Sequence, residues 1–128
     1  MGYRIGLIRG DGIGPEVVSS AVNVLNSIGF DADYVEFELG LKQYKLRGRV
    51  IDDEIIDNLK ECHAILKGPL ATPLGPGTYT SINVALRKIL DLYVNFRPFI
   101  NIVNNKYPYF NIVIFRENTE DLYSGIEF

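Results

Sequence analysis

Two apolar spacings alternate along the first hundred positions. A short apolar run at residues 4–9 gives way to Gly10-Asp11-Gly12-Ile13-Gly14-Pro15, which predicts a strand, a tight glycine turn and a helix opened by Pro15. Val17, Val18, Ala21, Val22, Val24, Leu25 and Ile28 recur at helical spacing, and Gly29 supplies a stop. A second strand is expected over residues 32–38. Asp52 suits an N-cap, Asp53 and Glu54 suit a first helical turn, and Ile55, Ile56 and Leu59 give that helix a buried face ending before His63. Residues 64–67 read as a buried strand. Strand-helix-strand alternation of this kind predicts the α/β class, a layered sheet with flanking helices and parallel pairing.

The pattern breaks after Lys67, where three prolines and three glycines fall before Ser81. Such a loop leaves the end of a strand, the edge at which open α/β sheets place ligands. Ser81 then caps a helix from Ile82 to about Leu90, and a strand over residues 92–97 is expected to end at Pro98. The polar, Tyr- and Pro-marked residues 101–109 read as a crossover or hairpin loop, and residues 111–115 resume a strand.

Composition narrows the classes. A 128-residue chain that is 47% apolar can bury one core. Its net charge of −3, with no run of Lys or Arg longer than two, argues against nucleic acid as a partner. No apolar stretch is long enough to span a bilayer and the start lacks the apolar core of a signal peptide, so the expectation is a cytoplasmic protein without a membrane partner. The single cysteine, Cys62, reads as a packing residue, and the single histidine, His63, as a capping or packing residue.

Chemistry concentrates between residues 68 and 123. Ser81, Asn83 and Arg87 lie around a helix start, while Arg97 and Arg116 each close an apolar run. Three guanidiniums, each a rigid fork suited to a carboxylate or phosphate, point to a polyanionic small molecule. The helix start adds free N–H groups to the Ser81 hydroxyl and the Asn83 amide. The turn at residues 10–14 has G-x-G-x-G spacing without the third glycine or acidic partner of a dinucleotide fingerprint, so its glycines read first as permitting a tight turn. Glu117, Glu120 and Asp121 read as a solvated acidic turn, and Tyr123 taken alone is a core or interface aromatic.

GDGIGPEV (residues 10–17), TSINVALR (80–87), NFRPF (95–99) and RENTEDLYSGIE (116–127) together resemble the β-decarboxylating dehydrogenases, in particular the isocitrate dehydrogenases. The resemblance runs in order along nearly the whole chain but covers only the first part of such an enzyme. It implies a non-Rossmann fold of the isocitrate/isopropylmalate dehydrogenase type, with residues 1–100 beginning a large domain and residues 101–128 beginning a small one. It implies Ser81, Asn83, Arg87, Arg97 and Arg116 as ligands of a tricarboxylate substrate, and Tyr123 as the catalytic general acid. Ile13 and Thr72 would stand near the nicotinamide of NAD or NADP. The resemblance also implies a magnesium (Mg2+) or manganese (Mn2+) ion whose aspartate ligands lie outside this chain, so no metal ligand is assigned within it. A catalytic lysine would come from the neighbouring subunit of a homodimer, and completion by a missing C-terminal half is the other form a partner could take. Isopropylmalate relatives carry apolar residues near position 81 and homoisocitrate relatives tend to carry an arginine there. Taken alone, the 128 residues are expected to be inactive, and a non-catalytic tricarboxylate-binding or subunit-interaction module is the competing reading.

Overall fold

The computed structural model describes residues 2–48, 51–72, 81–102, 109–120 and 124. Residues 1–83 and 84–128 form two compact units, divided inside a helix. In the first unit, strands β1 (Tyr3–Ile8), β2 (Ala32–Glu36) and β3 (Ala64–Lys67) make a sheet in the order β2-β1-β3, and both pairings are parallel. The expected parallel α/β arrangement is therefore present. Helix α1 (Gly14–Ser27) connects β1 to β2, while α2 (Leu41–Arg47) and α3 (Asp53–Lys60) lie between β2 and β3.

β1 is the central strand, and its side chains show why. Ile5 and Leu7 point to one face, where they form a core with Val18 of α1, and Val22, Phe30, Ala32, Tyr34 and Leu66 pack around it. Gly6 faces the opposite way, in contact range of the Phe37 ring and the Cys62 sulfur. Burial among these groups raises the Cys62 thiol pKa, consistent with a packing role. His63 serves the backbone: its Nδ1 accepts from the Arg4 N–H at 3.0 Å, and its own N–H donates to the Arg4 carbonyl at 2.9 Å.

The apolar stripe read along α1 is narrower in the structure. Val18 is buried, whereas Val17, Val24 and Ile28 lie on an adjacent flank that remains exposed. The stop works as the sequence predicts. Gly29 takes a φ of +73°, its N–H donates to the Asn26 carbonyl, and the Phe30 N–H donates to the Leu25 carbonyl, a Schellman closure. Asp52 does occupy the N-cap position of α3, but its carboxylate makes no cap hydrogen bond and instead accepts from Arg47 at 3.0 Å.

In the second unit, β4 (Val94–Ile100) and β5 (Asn111–Glu117) pair antiparallel. β4 continues through Pro98, opposite Val113, where the sequence suggested it would stop. A two-stranded ribbon permits this, because every second residue directs its N–H away from the partner strand and a proline there forfeits no ladder bond.

Candidate functional site

The C-terminal ends of β1 and β3 lie side by side, and the loops leaving them meet through glycines. Gly10 has a φ of +78°, and a β-carbon built on it would lie 2.0 Å from the Pro69 carbonyl oxygen. On Gly14 and on Gly68 it would lie 2.1 and 2.2 Å from the Arg9 carbonyl oxygen. These positions admit no side chain, and the two main chains run in direct contact. The Asp11 N–H closes the crossing by donating to the Pro69 carbonyl at 2.7 Å. Beside this crossing Ile13 and Thr72 are both exposed.

Asp11 is the residue that sequence reasoning missed. One carboxylate oxygen accepts from the Leu41 N–H at 3.0 Å and the other from the Ala71 N–H at 2.8 Å. Arg9, which follows β1, is also committed: its guanidinium forks onto both oxygens of Glu36 and donates to the Ser19 hydroxyl at 2.7 Å. That pairing raises the pKa of Arg9 and holds Glu36 below the ordinary carboxylate value. A hollow of about 240 Å³ opens on the β2 side, between the apolar walls Phe37 and Leu39 and near the buried Gln43.

Helix α4 (Ile82–Ile89) begins in the first unit. Ile82 is fully buried and anchors its start; Ser81, half-buried, precedes it, and the Asn83 amide donates to the Leu70 carbonyl at 3.4 Å. Ser81 and Asn83 thus belong to the same unit as the glycine crossing.

Arg87, Arg97 and Arg116 belong to the second unit. Arg87 lies in the last turn of α4, which closes with the Leu92 N–H donating to the Arg87 carbonyl at 2.8 Å and Asp91 held at a φ of +50°. On the ribbon, Asn95 stands opposite Arg116 and Arg97 opposite Ile114. Opposed residues, and residues two apart, share a face, so Arg97, Asn95 and Arg116 lie together as diagonal neighbours about 7–8 Å apart at the backbone. Arg97 also donates to the Asn95 side-chain carbonyl at 3.0 Å. The other face carries Phe96 against Phe115, edge to face with centroids 5.3 Å apart.

Two further residues fix the end of β5. Asn118 is buried and donates to the Leu92 carbonyl at 2.9 Å, tying the turn after β5 to the turn before β4. The Glu117 carboxylate accepts backbone N–H groups from Thr119 and Glu120, which lowers its pKa. It organises the turn on which the sequence suggested only solvated charge. Among the described residues no group of three His, Cys, Asp or Glu side chains could hold a metal ion, and no helix is long and apolar enough to cross a membrane. Tyr123 lies outside the described residues; the carbonyl of Ser124, next to it, accepts from the Lys88 ammonium at 2.8 Å.

In the first unit, glycine-bounded loops leave the C-terminal edge of a parallel α/β sheet, the edge at which such sheets hold small molecules; in the second, a ribbon presents two arginines on one face. Residues 4–128 match the isocitrate/isopropylmalate dehydrogenase family, and the chain belongs to it. It is 44% identical to the isocitrate dehydrogenase [NADP] of Archaeoglobus fulgidus, over 93% of this chain and 31% of that protein. It is 42% identical to an isocitrate/homoisocitrate dehydrogenase of Pyrococcus horikoshii, over 96% of this chain and 34% of the other. Among solved structures it is similar to isocitrate dehydrogenase from Methylococcus capsulatus, with a TM-score of 0.82 and 39% identity, covering 97% of this chain and 37% of that one. The chain therefore spans about a third of the length of the curated relatives it matches.

Proposed function

We propose that a family-length enzyme carrying this chain oxidises and decarboxylates isocitrate, and that this segment supplies most of the carboxylate clamp. The observation that carries the reading is the shared face of Arg97, Asn95 and Arg116. Two guanidinium forks on one face can be bridged by a single carboxylate-bearing anion through charge-assisted hydrogen bonds. Ser81, Asn83 and Arg87 would take the remaining carboxylate oxygens. Ser81 and Asn83 offer neutral donors, which suit a short carboxylate arm and would be left unpaired by an isopropyl group.

The glycine crossing suits a nicotinamide coenzyme, because it brings the loops after β1 and β3 together, the main chain at Gly12 is open, and the exposed Ile13 and Thr72 offer an apolar surface and a hydroxyl. When bound, NAD or NADP takes up hydride, and a Mg2+ or Mn2+ ion stabilises negative charge on the substrate. Metal ligands are assigned to the remainder of the enzyme. Within this chain Tyr123 would return a proton to the substrate carbon after carbon dioxide leaves. Residues 1–100 would begin the large domain and residues 101–128 the small one, in a homodimer whose neighbouring subunit contributes a lysine.

The test is reduction of NAD and NADP by the family-length enzyme with isocitrate, homoisocitrate and isopropylmalate in the presence of Mg2+ or Mn2+. Two unpaired donors at about 1–3 kcal/mol each predict at least about tenfold higher kcat/KM for isocitrate than for isopropylmalate. Ser81→Leu combined with Asn83→Leu should reduce isocitrate turnover far more than isopropylmalate turnover. Equal losses would refute the substrate assignment, and tricarboxylate binding without any turnover would establish the non-catalytic reading instead.

A further inference from the structure

We infer that Asp11 is a positioning residue that holds the segment leading to Thr72 in place for the coenzyme, with the start of α2 as its anchor. The inference rests on the reading above that Thr72 stands near the nicotinamide. Every polar group of Asp11 is engaged by a separate backbone group: its N–H by the Pro69 carbonyl, its carbonyl by the Gly14 N–H at 3.0 Å, one carboxylate oxygen by Leu41 and the other by Ala71. The carboxylate thus joins positions 30 and 60 residues downstream of it.

The surroundings are shaped to that contact. α2 has Gly40 at its N-cap and no side-chain cap of its own, so the Asp11 carboxylate caps it from outside. A β-carbon on Gly40 would come within 2.7–3.0 Å of the Asp11 carboxylate group, so a side chain there would displace it. Only a carboxylate can accept on both oxygens at once. An amide offers one acceptor and turns its NH2 group against the second N–H donor. A shift of residue 11 therefore moves Ala71 and, through the next peptide bond, Thr72. The Asn83 amide donates to the Leu70 carbonyl, so the Leu70–Ala71 peptide is held on both its carbonyl and its N–H side while the side chain of Thr72, the next residue, stays exposed.

The experiment compares Asp11→Asn with the unmodified family-length enzyme. The expected result is a rise of about tenfold in the KM for NAD or NADP, with kcat at saturating coenzyme within about threefold and the KM for the organic acid within about twofold. Direct binding of NADH or NADPH, followed by its fluorescence, should show the same tenfold loss. A lower melting temperature with unchanged coenzyme affinity would overturn the inference and leave Asp11 a fold-stabilising cap. If Asp11→Asn does not fold, Asp11→Ser, which has a single acceptor oxygen, replaces it under the same criteria. Absence of turnover in the unmodified enzyme would defeat the proposed reaction but not this inference, because the coenzyme-binding comparison still decides it. An unmodified enzyme that binds neither NADH nor NADPH would overturn both.

Discussion

Gly10 and Gly12 sit two residues apart in one turn, both in the left-handed region at φ +78° and +59°, yet their surroundings differ completely. At Gly12 a β-carbon would meet nothing within 4 Å, while at Gly10 it would lie 2.0 Å from the Pro69 carbonyl oxygen. Gly12→Ala should therefore cost only the left-handed backbone term of about 1–2 kcal/mol, partly offset by about 0.4–1 kcal/mol from a less flexible unfolded chain. Gly10→Ala carries the same term and must also push two main chains apart. That movement breaks the 2.7 Å hydrogen bond from Asp11 to Pro69, for a further loss of about 0.5–1.5 kcal/mol, with the cost of disturbed packing added. A total of roughly 2–4 kcal/mol follows, against about 0.5–1.5 kcal/mol for Gly12→Ala. Urea denaturation of the two variants in the family-length enzyme measures the difference directly. If both alanines destabilise within about 0.5 kcal/mol of each other, the main chains are not in contact and the steric reasoning is wrong.

Two other outcomes are expected. Glu36 titrates below its ordinary value because Arg9 hydrogen-bonds it, so the pair stabilises the fold above the unfolded carboxylate pKa and that contribution disappears as pH falls through the folded value. Because Glu36 is largely exposed, Glu36→Gln should lower stability at pH 7 by no more than about 1 kcal/mol. The gap from the unmodified protein should narrow as pH falls below the ordinary carboxylate range, and a gap that widens on acidification would refute the linkage. At the end of α4, Asp91 holds a φ of +50° without being glycine, so Asp91→Gly should raise stability by about 0.5–1 kcal/mol, read as a higher melting temperature; a fall would show that the aspartate side chain contributes more than its backbone costs.

Most elements were legible because they depend on local signals. β1, α1, β2, α3, β3 and α4 follow from apolar spacing, and the α1 stop from a single glycine. α2 was not legible. LKQYKLR lacks an apolar stripe, and its N-cap, Gly40, has no side chain, so its cap arrives from Asp11, thirty residues earlier. Asp52 stands at the expected N-cap, but its carboxylate is drawn to Arg47, on the preceding helix, and caps nothing. In the site, the arginine positions could be read along the chain, but that Arg97 and Arg116 share a face depends on the β4–β5 register, which spacing does not set. Asp11 stayed hidden inside a glycine turn because its partners are remote in sequence.

The strand order of the parallel sheet has a kinetic side. β1 is made first and sits in the middle, yet its second neighbour is not available until residue 64 pairs with Ile5. Closing a loop of that length delays folding, since its entropy must be given up before the contacts form. The Gly10–Pro69 crossing and the Asp11–Ala71 bond lie beyond that last pairing. That edge is therefore assembled late, after α1 and β2 are complete.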